Sequence, residues 1–112
     1  MANPSIAQQG DAETVLRRAV ALTPDAQAWE TLGTILAGRG GALAESRDCY
    51  AVAVRIEPAF LRALNNLAVI LHRLGQLRAA ENHYTEVLRL ASDNLDTWLN
   101  FAVLRGGPRA LP

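Results

Sequence analysis

Apolar residues recur along this chain at three- and four-residue intervals and never alternate with period two, so the pattern predicts helices and no strands. The first helix is predicted over Asp11–Leu22, with Val15, Leu16, Ala19, Val20 and Leu22 apolar, and Asp11 and Glu13 near its positive end. A second, about Asp25 to Ala37, places Trp29, Leu32, Gly33 and Leu36 on one face. A third, about Ala42 to Ile56, presents Leu43, Ser46, Tyr50, Ala53, Val54 and Ile56. The fourth, about Ala59 to Leu74, carries Leu64, Leu67, Ala68 and Leu71. The fifth, about Gln76 to Leu90, carries Leu77, Ala80, Tyr84, Val87, Leu88 and Leu90, and a sixth covers about Leu95 to Arg105. The breaks between them have local causes. Pro24 and Pro58 cannot continue a preceding helix, and Thr23 is the expected cap of the second helix. Gly38-Arg39-Gly40-Gly41 and Gly75 suit tight helix–helix turns, Ser92-Asp93-Asn94 supplies cap residues, and Gly106-Gly107-Pro108 closes the pattern. Residues 1–10 read as a flexible lead-in and 106–112 as a tail.

These helices repeat. Leu22, Ile56 and Leu90 lie 34 residues apart, as do Val20, Val54 and Leu88, and Leu16, Tyr50 and Tyr84. Trp29, Leu64 and Trp98 step by 35 and then 34, as do Gly33, Ala68 and Ala102, so one residue is inserted beside Gly40 and Gly41. A fixed period in this range means copies of one helical hairpin, each too small to bury its own apolar face. Gly33, Ala68 and Ala102 are small where the paired helix must come close. Tyr50 and Tyr84 are expected to fill space between hairpins, with hydroxyls reaching the surface.

A Trp or Leu, then Leu, then Gly or Ala, a glycine turn, then Ala, an aromatic and a closing Pro resembles the tetratricopeptide repeat. Residues 26–60 and 61–94 resemble full repeats, 11–25 the second helix of one before them, and 95–105 the first helix of one after. Departures are the extra glycine, Ser46 where Ala is usual, and Ser92 where Pro is usual. The resemblance implies an all-α solenoid of antiparallel hairpins wound as a right-handed superhelix, with first helices lining a concave, ligand-binding face.

On that face the resemblance places Gln27, Glu30, Thr31 and Thr34, then Arg62, Asn65, Asn66, Val69, His72 and Arg73, then Asp96, Leu99, Asn100 and Val103. Glu30, Thr31, Thr34, Arg62, Asn65, Asn66, Val69, His72, Arg73 and Asn100 form the candidate peptide-binding set. Thr31, Asn66 and Asn100 occupy equivalent places. An inward Asn offers both a donor and an acceptor to a peptide backbone. The segment LNNLAVIL is similar to repeats of O-linked N-acetylglucosamine transferases, whose asparagines form such a ladder. The alternative is that Asn66 and Asn100 bond neighbouring backbone and only brace the repeats. A carboxylate clamp of the kind that grips chaperone tails is excluded, because Glu30, Asp96 and Asn100 stand where basic residues are needed.

Composition narrows the partners. Eleven Arg balance eleven acidic residues across 112 residues, so no net charge draws the chain to nucleic acid or anionic lipid. Arg17-Arg18 and Arg73 with Arg78 are too sparse for a nucleic-acid patch. The opening MANPSIAQQG has no signal-peptide character and no apolar run spans a bilayer, so a cytoplasmic protein without membrane contact is expected. The single Cys49 excludes an internal disulfide and reads as a small buried hydrophobe. His72 and His83 have no clustered partners, so neither metal nor cofactor is expected. No catalytic constellation is present.

The predicted array starts and stops mid-repeat. Trp98, Leu99, Ala102 and Val103 lack a covering helix, which predicts self-association, a partner, or a longer parent chain, unless residues 106–112, with Leu111, fold back as a lid. The leading expectation is a non-enzymatic adaptor that binds a partner peptide. The alternatives are a regulatory or substrate-presenting segment of a larger enzyme, such as a glycosyltransferase, or a self-assembling scaffold.

Overall fold

The structure is a computed structural model and describes residues 11–106. Six helices occupy them: α1 Asp11–Leu22, α2 Ala26–Ala37, α3 Leu43–Ile56, α4 Leu61–Arg73, α5 Leu77–Leu90 and α6 Leu95–Leu104. No strand occurs among the described residues. The lead-in expected at 1–10 lies outside them, as does nearly all of the tail expected at 106–112. Consecutive helices pack as antiparallel hairpins, α2 on α3 and α4 on α5, which is an all-α, tetratricopeptide-like repeat fold. The chain divides into two compact units, one ending at Pro58 and the other beginning at Ala59.

In the first unit α1 packs on α2, and α2 on α3. Leu32, Leu36 and Cys49 form its buried centre, with Leu16, Val20, Trp29 and Ala42 packed around them. The hairpin closes most tightly at Gly33. A Cβ there would sit 2.9 Å from Tyr50 Cδ1 and Cε1, and the Ser46 hydroxyl donates to the Gly33 carbonyl at 2.7 Å. Ser46 thus pins the crossing that Gly33 permits.

In the second unit α5 packs between α4 and α6, and α4 touches α6 directly. Leu64, Leu67, Ala68, Leu71, Ala80, Tyr84 and Val87 are buried. Tyr84 stacks on Phe101, with ring centroids 5.6 Å apart. The turn from α4 to α5 needs its glycine, because Gly75 adopts φ of 81°, which costs a residue with a Cβ.

Two sequence expectations are corrected here. Asp25, not Thr23, caps α2: its carboxylate accepts from the Gln27 N–H at 2.9 Å, so the helix starts one residue later than expected. Asp25 sits in the extended conformation that an N-cap requires, and its side chain reaches the N–H two residues on. The tyrosine hydroxyls do not reach the surface either. Tyr50 and Tyr84 are only 3% and 1% exposed, because the Tyr50 ring packs on Gly33 and the Tyr84 ring stacks on Phe101.

Candidate functional site

The polar residues on first helices fall into separate local networks. In the first unit Glu30 is buried at 4% exposure, and it does not project into solvent. The Thr34 hydroxyl lies 3.2 Å from the Glu30 carboxylate, 3.1 Å from the Glu30 carbonyl and 2.9 Å from the Tyr50 hydroxyl. A carboxylate only accepts, so Thr34 donates towards Glu30 and Tyr50 donates to Thr34. The Tyr50 hydroxyl is held above its ordinary pKa first by burial, with the Thr34 hydrogen bond acting the other way. Thr31 is half-buried and turns its hydroxyl back to the Gln27 carbonyl at 2.9 Å.

In the second unit α4 presents half-buried Asn65, Asn66, Val69 and His72, with Arg62 and Arg73 exposed. Arg62 lies over the Phe60 ring at 5.4 Å. The Asn65 side-chain carbonyl accepts from the Thr97 hydroxyl at 3.0 Å, and the Asn100 amide approaches it at 3.5 Å. These contacts bring Asn65 and Asn100 together and tie α4 to α6. Asn94 caps α6 by accepting from the Thr97 N–H at 3.1 Å. Thr97 is therefore fixed at both its backbone and its hydroxyl, and it is fully buried.

Sequence reasoning missed Thr97. Its signal was available, since Thr97 falls in the register of Ala28 and Ala63, and Ala63 is fully buried. A hydroxyl at a buried repeat position needs a partner. The same register groups Leu99 with Glu30 and Asn65, and Val103 with Thr34 and Val69. Both therefore belong to the polar side of α6 as much as to its open face.

That open face is present. Trp98 and Leu99 are 50% and 56% exposed, Ala102 is exposed and Val103 half-buried. Trp98, Phe101, Ala102 and Arg105 line a hollow of about 270 Å³ with an almost wholly apolar surface. The Trp98 indole N–H donates to the Ser92 carbonyl at 2.8 Å, which fixes the ring while leaving its face bare. Arg105 lies over Phe101 at 5.7 Å and pairs with Glu81.

A second hollow, of about 410 Å³, opens between α1 and the α2–α3 hairpin, lined by Arg17, Val20, Trp29, Leu32, Glu45, Asp48, Cys49 and Val52. Arg17 spans it to Glu45 at 2.7 Å and also holds Glu13 at 2.8 Å. Burial, reinforced by Glu45, pushes the Cys49 thiol up to about 11, so it stays protonated and unreactive at neutral pH. His83 is half-buried on α5, and burial lowers its pKa. Among the described residues no three His, Cys, Asp or Glu side chains gather as metal ligands. No helix among them is long and apolar enough to cross a membrane.

Among known proteins, the family model of the tetratricopeptide repeat matches residues 61–94. The match covers α4, α5 and the turn between them, and ends on the Asn94 cap of α6. A tetratricopeptide repeat is thus present in the second unit. Such repeats are protein-interaction motifs and are typically non-catalytic, which supports a protein-interaction module. No curated protein matches the chain.

Proposed function

We propose that the chain is a non-enzymatic, cytoplasmic adaptor that takes an extended or helical segment of a partner protein on the polar face of α4 and α6 in its second unit. The observation that carries this reading is the amide-rich face of α4. Asn65 and Asn66 are half-buried on a helix whose opposite face is closed into a repeat core, so their position is fixed by packing. Arg62, Val69, His72, Arg73 and Asn100 complete the contact set on the second unit, and Glu30, buried and approached by the Thr34 hydroxyl, falls outside it. The likeness of LNNLAVIL to repeats of O-linked N-acetylglucosamine transferases supports backbone contact by Asn66. The bond from Asn65 to Thr97 fits the bracing role as well, so Asn66 and Asn100 are the informative pair.

Selection of a random peptide-display library against the chain, followed by titration of the enriched peptides, tests the reading. Asn66→Ala with Asn100→Ala should weaken binding at least about tenfold and shift stability by no more than about 1 kcal/mol. Unchanged binding with a large loss of stability would assign these amides to bracing alone. A second reading has its own observation: the bare α6 face of Trp98, Leu99, Ala102 and Val103 supports self-association.

A further inference from the structure

The hollow between α1 and the α2–α3 hairpin belongs wholly to the first unit, and none of its lining residues is on α4 or α6. Its volume of about 410 Å³ falls in the range of small-molecule sites, which join a mostly apolar wall to a few polar groups. Val20, Trp29, Leu32, Cys49 and Val52 supply the wall. Leu32 and Cys49 are buried, and the Cys49 thiol has no hydrogen-bond partner among the described residues, so this wall suits a hydrocarbon body. The charged groups of the lining are Arg17, Glu45 and Asp48. Glu45 and Asp48 stand three apart on α3, which makes two carboxylates neighbours on one helix face. Arg17 meets one oxygen of Glu45, at 2.7 Å, and is shared with Glu13, which Arg39 also holds. Arg47 meets one oxygen of Asp48 at 3.1 Å and does not line the hollow. Each carboxylate therefore keeps a second oxygen with no hydrogen bond among the described residues.

We propose that this hollow binds a small amphipathic amine, with its apolar body against Trp29, Leu32 and Val52 and its cationic head at Glu45 and Asp48. The charges of the lining decide the sign of the head. An anion would meet two carboxylates, and the one lining cation, Arg17, already serves Glu13 and Glu45. A cation instead relieves the like-charge pair on α3 and accepts the two spare carboxylate oxygens as partners. It also finds an indole in the same hollow, and indole is the side-chain ring that attracts cations most strongly. A neutral molecule of the same shape would fill the wall and leave those oxygens to water. The site stands apart from the peptide-binding reading, since the two share no residue.

Titration of the full chain with 4-phenylbutylamine, 4-phenylbutanol and 4-phenylbutyrate, which share one body and differ in the head, tests this. Trp98→Phe leaves Trp29 as the only tryptophan, so fluorescence excited beyond phenyl absorption reports on the hollow. The amine should change Trp29 emission saturably, with a dissociation constant on the order of 1 mM. It should bind about tenfold or more tighter than the butyrate, with the alcohol between them. Asp48→Asn should weaken the amine severalfold and leave the alcohol unchanged. Adding Glu45→Gln releases Arg17 and should erase or reverse the preference for amine over butyrate. Both carboxylates are exposed, so neither change threatens the fold. Val52→Phe fills the hollow and should abolish the response to the amine while circular dichroism shows the helices intact; Val20→Phe replaces it if helicity is lost. An amine that binds no tighter than the butyrate overturns the proposal. So does emission that never saturates, or that responds equally in the filled variant. Peptide binding stands or falls separately, because Glu45, Asp48 and Val52 lie outside α4 and α6.

Discussion

Single residues in this chain are held by unusually specific neighbours, and substitution at Gly33 exposes the tightest. Alanine gains about 1 kcal/mol of helix propensity over glycine. Its Cβ would meet Tyr50 at 2.9 Å, and Tyr50 is buried with its hydroxyl on Thr34, so the ring has little room to yield. Overpacking costs about 1–3 kcal/mol, so Gly33→Ala should lower stability by about 1 kcal/mol net in denaturant unfolding. In a Tyr50→Leu background the same change should become neutral or stabilising. Titration adds a second prediction. Burial raises Cys49 from 9.0 to about 11 and Tyr84 from 10.0 to about 12, so above pH 9 the unfolded chain releases protons that the folded chain keeps. Stability therefore falls as pH rises from 9 towards 12. At the other end burial lowers His83 from 6.5, so the unfolded chain binds a proton first and stability falls as pH drops below 6.5. Melting temperature against pH should show a plateau between these limits, and Cys49→Ala should delay the alkaline fall. An unchanged alkaline limb in that variant would remove Cys49 from the account.

Helix ends and helix pairs carry the next level. Asp25 caps α2, so Asp25→Ala should cost about 1 kcal/mol whereas Thr23→Ala should be nearly neutral, both read from urea midpoints. Equal losses would contradict the observed cap. Thr97 joins two helices. Thr97→Val keeps the shape but leaves the Asn65 carbonyl without its shortest partner, at a cost of about 1–3 kcal/mol. Amide hydrogen exchange should then accelerate in α6 while α2 and α3 remain unchanged. The helices themselves were legible from local signals. Apolar spacing places all six, and the observed limits fall within two residues of those expected. Small offsets arise where the backbone can end a helix in more than one way, as at Thr23 and Asp25, and only side-chain geometry chooses between neighbouring cap candidates.

Across the molecule, protection should follow how many neighbours each helix has. Helices α1 and α6 leave Val15, Leu22, Leu95, Trp98 and Leu99 exposed, whereas α4 buries Leu64, Leu67, Ile70 and Leu71. Hydrogen exchange should be fastest in α1 and α6. The exposed ion pairs, Arg17 to Glu45 and Arg89 to Glu86 among them, contribute little, so added salt should barely move the melting temperature.

The sequence by itself determined the helices, their order and the hairpin repeat, because spacing, glycine turns and prolines act over a few residues and a 34-residue period can be counted without coordinates. It also marked Gly33 and Ala68 as close-approach positions. Tertiary structure decided what each polar side chain does. Glu30 is buried although its place reads as groove, the Tyr50 hydroxyl bonds Thr34, and Asn65 rather than Asn66 takes the Thr97 hydroxyl. Those partners lie 16 and 32 residues apart in the chain. Periodicity states which face a residue shares, but a hydrogen bond needs two atoms within about 3 Å, and only packing sets that distance.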